Sequence, residues 1–150
     1  MDIIQQQRHG VSFYACPSPA WSGTAHGFST RLGGVSPAPW ESLNLGAGRG
    51  DNPANVGENF SRFCAAVGAD VNALVKNHQV HSARIRPVTR ADILPNPVQA
   101  GEFQADGLVT NEPGVRGLHS HPALRPGPPV CRRRPCGLAG NRCRNRRPGG

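Results

Sequence analysis

The chain has 150 residues, which is enough for one domain with a buried core. Its 19 glycines, 15 prolines and 37% hydrophobic residues are poor material for close packing over the whole length. The formal net charge of +8 suggests a nucleic-acid-binding protein, but the position of the charges along the chain argues against that class.

The charge divides the chain into two parts. Residues 1–117 contain nine Lys and Arg residues and nine acidic residues, so this part is neutral, whereas residues 118–150 contain eight arginines and no acidic residue. The second part has no sustained hydrophobic period and almost no large apolar residue, and we expect it to be disordered. The composition therefore predicts a domain portion over 1–117 and a Pro-, Gly- and Arg-rich tail over 118–150.

The domain portion shows strand patterns on both sides of one helix pattern. A loop rich in Gly, Pro, Ser and Asn over 33–53 is expected to be ordered. Interleaved strands and helix predict an α/β or α+β fold, a mixed-sheet sandwich with flanking helices. The predicted strands are 11–16 (VSFYAC), 24–30 (TAHGFST), 74–80, 83–88 and 107–110.

The helix, over about 53–67, has the clearest boundaries of these elements. Asp51 and Asn52 are residues that favour a helix N-cap, Pro53 suits the first turn, and Gly68 provides the stop. Apolar residues recur between them at helical spacing, namely Val56, Phe60, Phe63, Cys64 and Val67.

A few side chains in the domain portion have chemistry suited to a site. His78 and His81 lie near the end of a predicted strand, where residues three apart point to opposite faces, so only one of them can face a given site. Taken alone, each is either a structural histidine or a ligand. Arg31, beside two glycines, either holds an anion or is a solvated turn residue, and Asp106 either serves a site or caps a turn.

Five segments together resemble the bacterial laccase-domain family, in order and in spacing. The resemblance extends over about residues 24–115. It implies zinc-dependent phosphorolysis of purine nucleosides and methylthioadenosine, adenosine deamination, or peptidoglycan-precursor editing, and the family was first named for copper-dependent polyphenol oxidation. The segments are HGFSTRLGGVS (26–36), SLNLG (42–46), GDNPANVGENFSRF (50–63), NHQVHS (77–82) and ADGLVTNEPGV (105–115).

The resemblance also implies residue roles. The family's metal site takes one His from a QVH block, a Cys from a TADC block and a His from an HAGWRG block, and His81 matches the first. Arg31 is the candidate contact for phosphate or ribose, and Asn44 and Asp106 are candidates for shaping the site. Purine nucleoside and phosphate are the implied substrates, with no specific nucleic acid and no membrane as partner.

The second and third ligand blocks are missing from the sequence as written, so the resemblance implies a truncated domain with little or no activity. His119, His121, Cys131 and Cys136 of the tail match no standard zinc spacing. Codons for residues 124–147 can, however, be chosen so that reading them one base later gives CAPVLLFADAAHAGWRGTAAGIV. We therefore interpret the tail as a frameshifted translation of the family's second half, although the TAD before the Cys is not recovered.

Other readings of the chain differ in class. One is an active enzyme that recruits Cys and His of the tail as ligands, and another is a non-enzymatic basic polypeptide with salt-dependent binding to RNA or acidic partners. Copper oxidase chemistry is disfavoured by the lack of His-x-His clusters in the domain portion. Residues 1–10 have no apolar core of a signal peptide, which predicts a cytoplasmic protein with reduced thiols.

Overall fold

The computed structural model describes residues 3–19 and 23–118. The expectation of a disordered tail over 118–150 lies outside these residues except at Leu118, which is ordered as the last residue of a strand. Within them the fold contains seven strands, one α-helix and two short 3-10 helices at Val71–Ala73 and Arg90–Asp92. No helix in this part of the chain is long and apolar enough to cross a membrane. The strands are β1 (Ile4–Arg8), β2 (Val11–Ala15), β3 (Phe28–Ser29), β4 (Leu74–Lys76), β5 (Ile85–Pro87), β6 (Gly107–Val109) and β7 (Arg116–Leu118), and the helix is α1 (Pro53–Val67).

Helix α1 has the boundaries that the sequence predicts. The Asn52 side chain accepts a 3.0 Å hydrogen bond from the Ala54 amide, which satisfies one of the free N–H groups of the first turn. Gly68 ends the helix in the left-handed conformation with φ of 76°, and its N–H donates to the Ala65 carbonyl. The predicted apolar face is confirmed, since Val56, Phe60, Phe63 and Cys64 are buried.

The first sheet is antiparallel, with the strand order β1-β2-β3. The turn residues His9 and Gly10, both with positive φ, connect β1 to β2, and Arg8 pairs with Val11. The strand predicted over 11–16 is confirmed as β2, but the one predicted over 24–30 is reduced to Phe28–Ser29. The shorter strand follows from the pairing, because β3 meets β2 at only two positions.

Two further sheets are short parallel pairs, β4 with β7 and β5 with β6. The strands predicted over 74–80, 83–88 and 107–110 exist in shortened form, each with three residues. Beyond Lys76 the backbone makes one isolated bridge, between His78 and Gln104, and then turns away. Parallel pairing depends on partner strands that are distant in sequence. A run of β-forming residues therefore does not show at which residue the strand ends.

The predicted α/β class is confirmed, with one α-helix in the described residues rather than several. Side chains from β2 and from α1 share one cluster, which includes Phe13 and Phe63. The opposite side of α1 packs on β4 through Phe60 and Leu74, and Leu118 of β7 contacts both clusters. A third cluster joins Val75 of β4 to Val88, just after β5, and Val115, just before β7.

Candidate functional site

The main candidate site is a turn at residues 80–82 that is held by the carboxylate of Asp106. The three consecutive backbone amides of Val80, His81 and Ser82 donate to this carboxylate at 3.1, 2.8 and 2.7 Å, and the Ser82 hydroxyl donates at 2.6 Å. The Ser82 hydroxyl bond, followed by the backbone bonds, holds the pKa of Asp106 below its usual value. Asp106 is therefore an ionised carboxylate that fixes this turn.

His81 occupies the centre of this turn in a backbone conformation that side chains rarely adopt. Its φ is 58°, in the left-handed region that costs a non-glycine residue about 1–2 kcal/mol. The hydrogen bond from the His81 amide to the Asp106 carboxylate offsets that cost. His81 is exposed to solvent. Strained positions that surrounding groups hold in place are common at functional sites.

His78 has a different environment from His81. Its backbone N–H donates to the Phe103 carbonyl at 2.8 Å, and its carbonyl accepts from the Ala105 amide at 3.1 Å. Neither histidine lies on a strand, so the alternation argument for opposite faces does not apply to them. The turn at 80–82, and not a strand, sets the direction of His81.

Asn77, which the sequence analysis did not single out, lies just before this turn. Its Nδ2 donates to the Gly107 carbonyl at 3.3 Å, while its Oδ1 is buried without a hydrogen-bond partner among the described residues. The Asp106 and Gly107 amides both donate to the carbonyl of Arg84, at 2.9 and 3.0 Å. These bonds join the turn to the segments that lead into β5 and β6.

The second group of candidate residues lies on the loop between β3 and α1. The Arg31 carbonyl accepts bonds from the amides of Ser42 and Leu43 at 3.1 and 2.9 Å, while its side chain is exposed. The adjacent glycines allow close approach, since a Cβ at Gly34 would lie 2.0 Å from the carbonyl oxygen of Ser42. The loop is ordered by its own bonds, as its composition predicts.

Asn44 belongs to a polar network that joins this loop to α1. Its Nδ2 donates to Asp51 at 2.9 Å and its carbonyl accepts from Asn59 at 2.9 Å. Asn59 is fully buried, accepts from the Val35 amide at 2.8 Å and donates to the Ser36 hydroxyl at 2.8 Å. Asn59 is not predicted as a site residue from the sequence, although it lies three residues after Val56 on the buried face of the helix.

The four predicted site residues therefore form two groups. His81 and Asp106 are directly hydrogen-bonded, whereas no hydrogen bond within the described residues links Arg31 or Asn44 to them. Across residues 3–19 and 23–118, no three His, Cys, Asp or Glu side chains form a group that can hold a metal ion. Both carboxylate oxygens of Asp106 already accept hydrogen bonds from the turn. The turn thus offers the imidazole of His81, and the described residues do not form a complete metal centre around it.

Comparison with known proteins places this arrangement in a family. Residues 25–118 match the sequence profile of the family described as multi-copper polyphenol oxidoreductase laccase. The purine nucleoside phosphorylase YlmD of Geobacillus stearothermophilus is 34% identical over 122 residues, which are 81% of this chain and 41% of that protein. The purine nucleoside phosphorylase Rv2149c of Mycobacterium tuberculosis is 39% identical over 85 residues, 57% of this chain and 32% of its own length.

The structural comparison finds one of the relatives that the sequence comparison finds. The crystal structure of YlmD from Geobacillus stearothermophilus superposes with a TM-score of 0.64 at 34% identity, covering 76% of this chain and 43% of that one. The chain thus spans about a third to two fifths of the length of the curated relatives named above. Because the family profile covers more than half of its residues, this chain belongs to the multi-copper polyphenol oxidoreductase laccase family.

Proposed function

We propose that this chain is the His81-bearing part of a purine nucleoside phosphorylase domain. In this proposal His81 is one of three ligands of a zinc ion, and the other two come from polypeptide that corresponds to the rest of the relatives' length. The chain by itself then has little or no phosphorolytic activity. The observation that carries the proposal is the exposed imidazole of His81, set in a strained turn by Asp106, within the family-matched residues.

The names of the relatives support the choice of substrate class. Several relatives at 34–40% identity are named purine nucleoside phosphorylase, which favours a purine nucleoside and phosphate as substrates. We further propose methylthioadenosine phosphorolysis and adenosine deamination as activities of the completed domain. Asp106 is proposed as a positioning residue for His81, Asn44 as a residue that orders the site loop, and Arg31 as a contact for phosphate or ribose.

The exposed guanidinium of Arg31 suits that last role. Its backbone is fixed by three hydrogen bonds to Ser42 and Leu43, while the side chain extends from a rigid base into solvent. A guanidinium on a fixed base recognises phosphate oxygens through two parallel hydrogen bonds. Since no three His, Cys, Asp or Glu side chains of the described residues form a metal-binding group, no catalytic step is assigned to this chain alone.

The proposal is tested by assaying the purified chain with inosine, adenosine and methylthioadenosine in phosphate buffer, with Geobacillus YlmD as the positive control. Free base, ribose phosphate and inosine are separated by chromatography, and metal content is measured by mass spectrometry after zinc or copper loading. We expect no product above background and far less than one metal ion per chain. Phosphorolysis together with one zinc per chain would overturn the proposal.

We also propose that residues 1–117 are the domain portion and that residues 118–150 are a separate tail read from a shifted frame. The family match ends at residue 118, next to this boundary. Sequencing the coding DNA through codons 112–150 tests the idea. Codons that restore CAPV and HAGW one base later support it, and unrelated codons refute it.

A further inference from the structure

The Phe103 side chain presents an open aromatic surface near the candidate site. Cζ of the Arg86 guanidinium lies 3.4 Å from the centroid of the Phe103 ring, so the cation stacks on one face of the ring. Phe103 is nevertheless 52% exposed. Because Arg86 covers one face, the exposed surface belongs to the opposite face and the edge of the ring. A second flat ring can stack on this open face.

The cation beneath the ring is itself held in place. Arg86 lies on β5 and forms an ion pair with Asp92. The Thr89 amide donates to the Asp92 carboxylate at 2.8 Å, and the Thr89 hydroxyl donates to it at 3.2 Å. The amide bond, together with a smaller effect of the Arg86 charge, holds the pKa of Asp92 below its usual value. The Phe103 ring therefore rests on a fixed cation, which restricts its motion before a ligand binds.

Backbone hydrogen bonds connect Phe103 to the turn at residues 80–82. The Phe103 carbonyl accepts from the His78 amide at 2.8 Å, and the Ala105 amide donates to the His78 carbonyl at 3.1 Å. Asp106, three residues after Phe103, is the carboxylate that holds the turn around His81. Three residues of extended chain span about 10 Å, a distance that one purine nucleoside can bridge.

We propose that Phe103 is a stacking platform for the purine base of the nucleoside. This inference rests on the proposed function, which supplies the purine nucleoside as the ligand. Stacking on an aromatic side chain requires only the aromatic face that every base has. In this arrangement the base lies on the open face of Phe103, and the ribose extends toward the turn that carries His81. Phe103 thus favours ligands with an aromatic base and takes no part in the chemical step.

The test is saturation-transfer NMR on the full chain with adenosine, with ribose as the ligand that lacks a base. We expect transfer to H2 and H8 of the purine, with a dissociation constant on the order of 10 mM, and none to ribose. Phe103→Ala is expected to weaken adenosine binding by about fivefold or more. Phe103→Trp keeps an aromatic face and is expected to keep binding, whereas Phe103→Leu is apolar without that face and is expected to behave as Phe103→Ala.

Phe28→Ala is the matched control. Phe28 is 53% exposed and lies on β3, in a different sheet from Arg86, so its loss should leave adenosine binding unchanged. Far-UV dichroism verifies that each variant keeps its helix. Absence of transfer to adenosine in the wild-type chain, or full binding by Phe103→Ala, would overturn the proposal. Equal losses in Phe28→Ala and Phe103→Ala, or full binding by Phe103→Leu, would overturn it as well.

The stacking proposal and the proposed function fail in different experiments. The binding test involves neither metal nor turnover, so a negative result there removes the role of Phe103 and leaves the proposed function standing. Phosphorolysis by the purified chain with one zinc per chain overturns the proposed function. Adenosine binding that depends on Phe103 still upholds the stacking platform in that case.

Discussion

Asn59 allows the link between the site loop and α1 to be tested quantitatively. Its side chain is fully buried and makes three hydrogen bonds, to the Val35 amide, the Ser36 hydroxyl and the Asn44 carbonyl. Asn59→Ala removes all three and leaves the Val35 N–H and the Asn44 carbonyl without these partners. Each unsatisfied buried group costs about 1–3 kcal/mol, and water reaches the half-buried loop in part, so we expect a loss of about 2–3 kcal/mol in unfolding free energy.

The assay is urea unfolding followed by circular dichroism at the helix band, with amide exchange of Val35 as a local readout. Glu58→Ala on the same helix is the matched control, because its ion pair with Arg62 is solvent-exposed and worth about 0.3–0.5 kcal/mol. Asn59→Ala is expected to lower the midpoint clearly and to speed Val35 exchange, whereas Glu58→Ala does neither. Equal small losses for both variants would refute the view that Asn59 anchors the loop.

Three further predictions concern titratable groups. Lys76 is the only lysine of the chain, and burial lowers its pKa to about 8. We therefore expect the NMR signal of the reductively methylated Lys76 side chain to titrate near pH 8. Titration near pH 10.5 would contradict the burial of its ammonium group against Phe60. Burial, with a smaller contribution from Asp70, raises the pKa of the Cys64 thiol to about 11. After treatment with an alkylating reagent at about pH 8, peptide mapping should find Cys64 unmodified in the native protein and modified in the denatured protein. Rapid alkylation of Cys64 in the native protein would refute this prediction. Hydrogen bonds, the largest from the Ser36 hydroxyl, lower the pKa of Asp51 below its usual value of 3.8. The stabilisation by Asp51 is therefore present above that pH and is lost as the pH falls through the lower folded-state pKa. Asp51→Asn should flatten the acid dependence of the unfolding free energy below pH 3.8, and an unchanged slope would exclude this contribution.

The sequence predicts α1 well because its signals are local. The Asn52 cap, Pro53 and the Gly68 stop all lie within or beside the helix, and each acts on backbone groups a few residues away. The short strands β4 and β5 are predicted too long because their ends depend on partners more than 20 residues away. The strands β1 and β7 were not predicted at all, since IQQQR lacks an apolar face and RGL is too short to show alternation.

The candidate site shows the same division between local and distant information. The resemblance picks out His81 and Asp106 as separate motif residues, but only the fold shows that one carboxylate binds three successive amides around that histidine. The buried face of a helix is identified in a sequence from the spacing of its apolar residues. Asn59 is polar, so this spacing does not identify it as a residue of the buried face. Such a residue is itself a signal, because a buried amide needs partners from another segment.

We propose that residues 1–117 form a working part of a phosphorylase domain in which His81 holds the metal. The most direct measurement is phosphorolysis of inosine by a chimera of residues 1–118 fused to the unmatched part of Geobacillus YlmD, compared with its His81→Ala variant and with His78→Ala as the control. We expect hypoxanthine and ribose 1-phosphate from the chimera and one zinc per chain. We expect a loss of about 100-fold or more in activity with His81→Ala and little change with His78→Ala. A folded, active chimera whose activity and zinc content survive His81→Ala would contradict the claim.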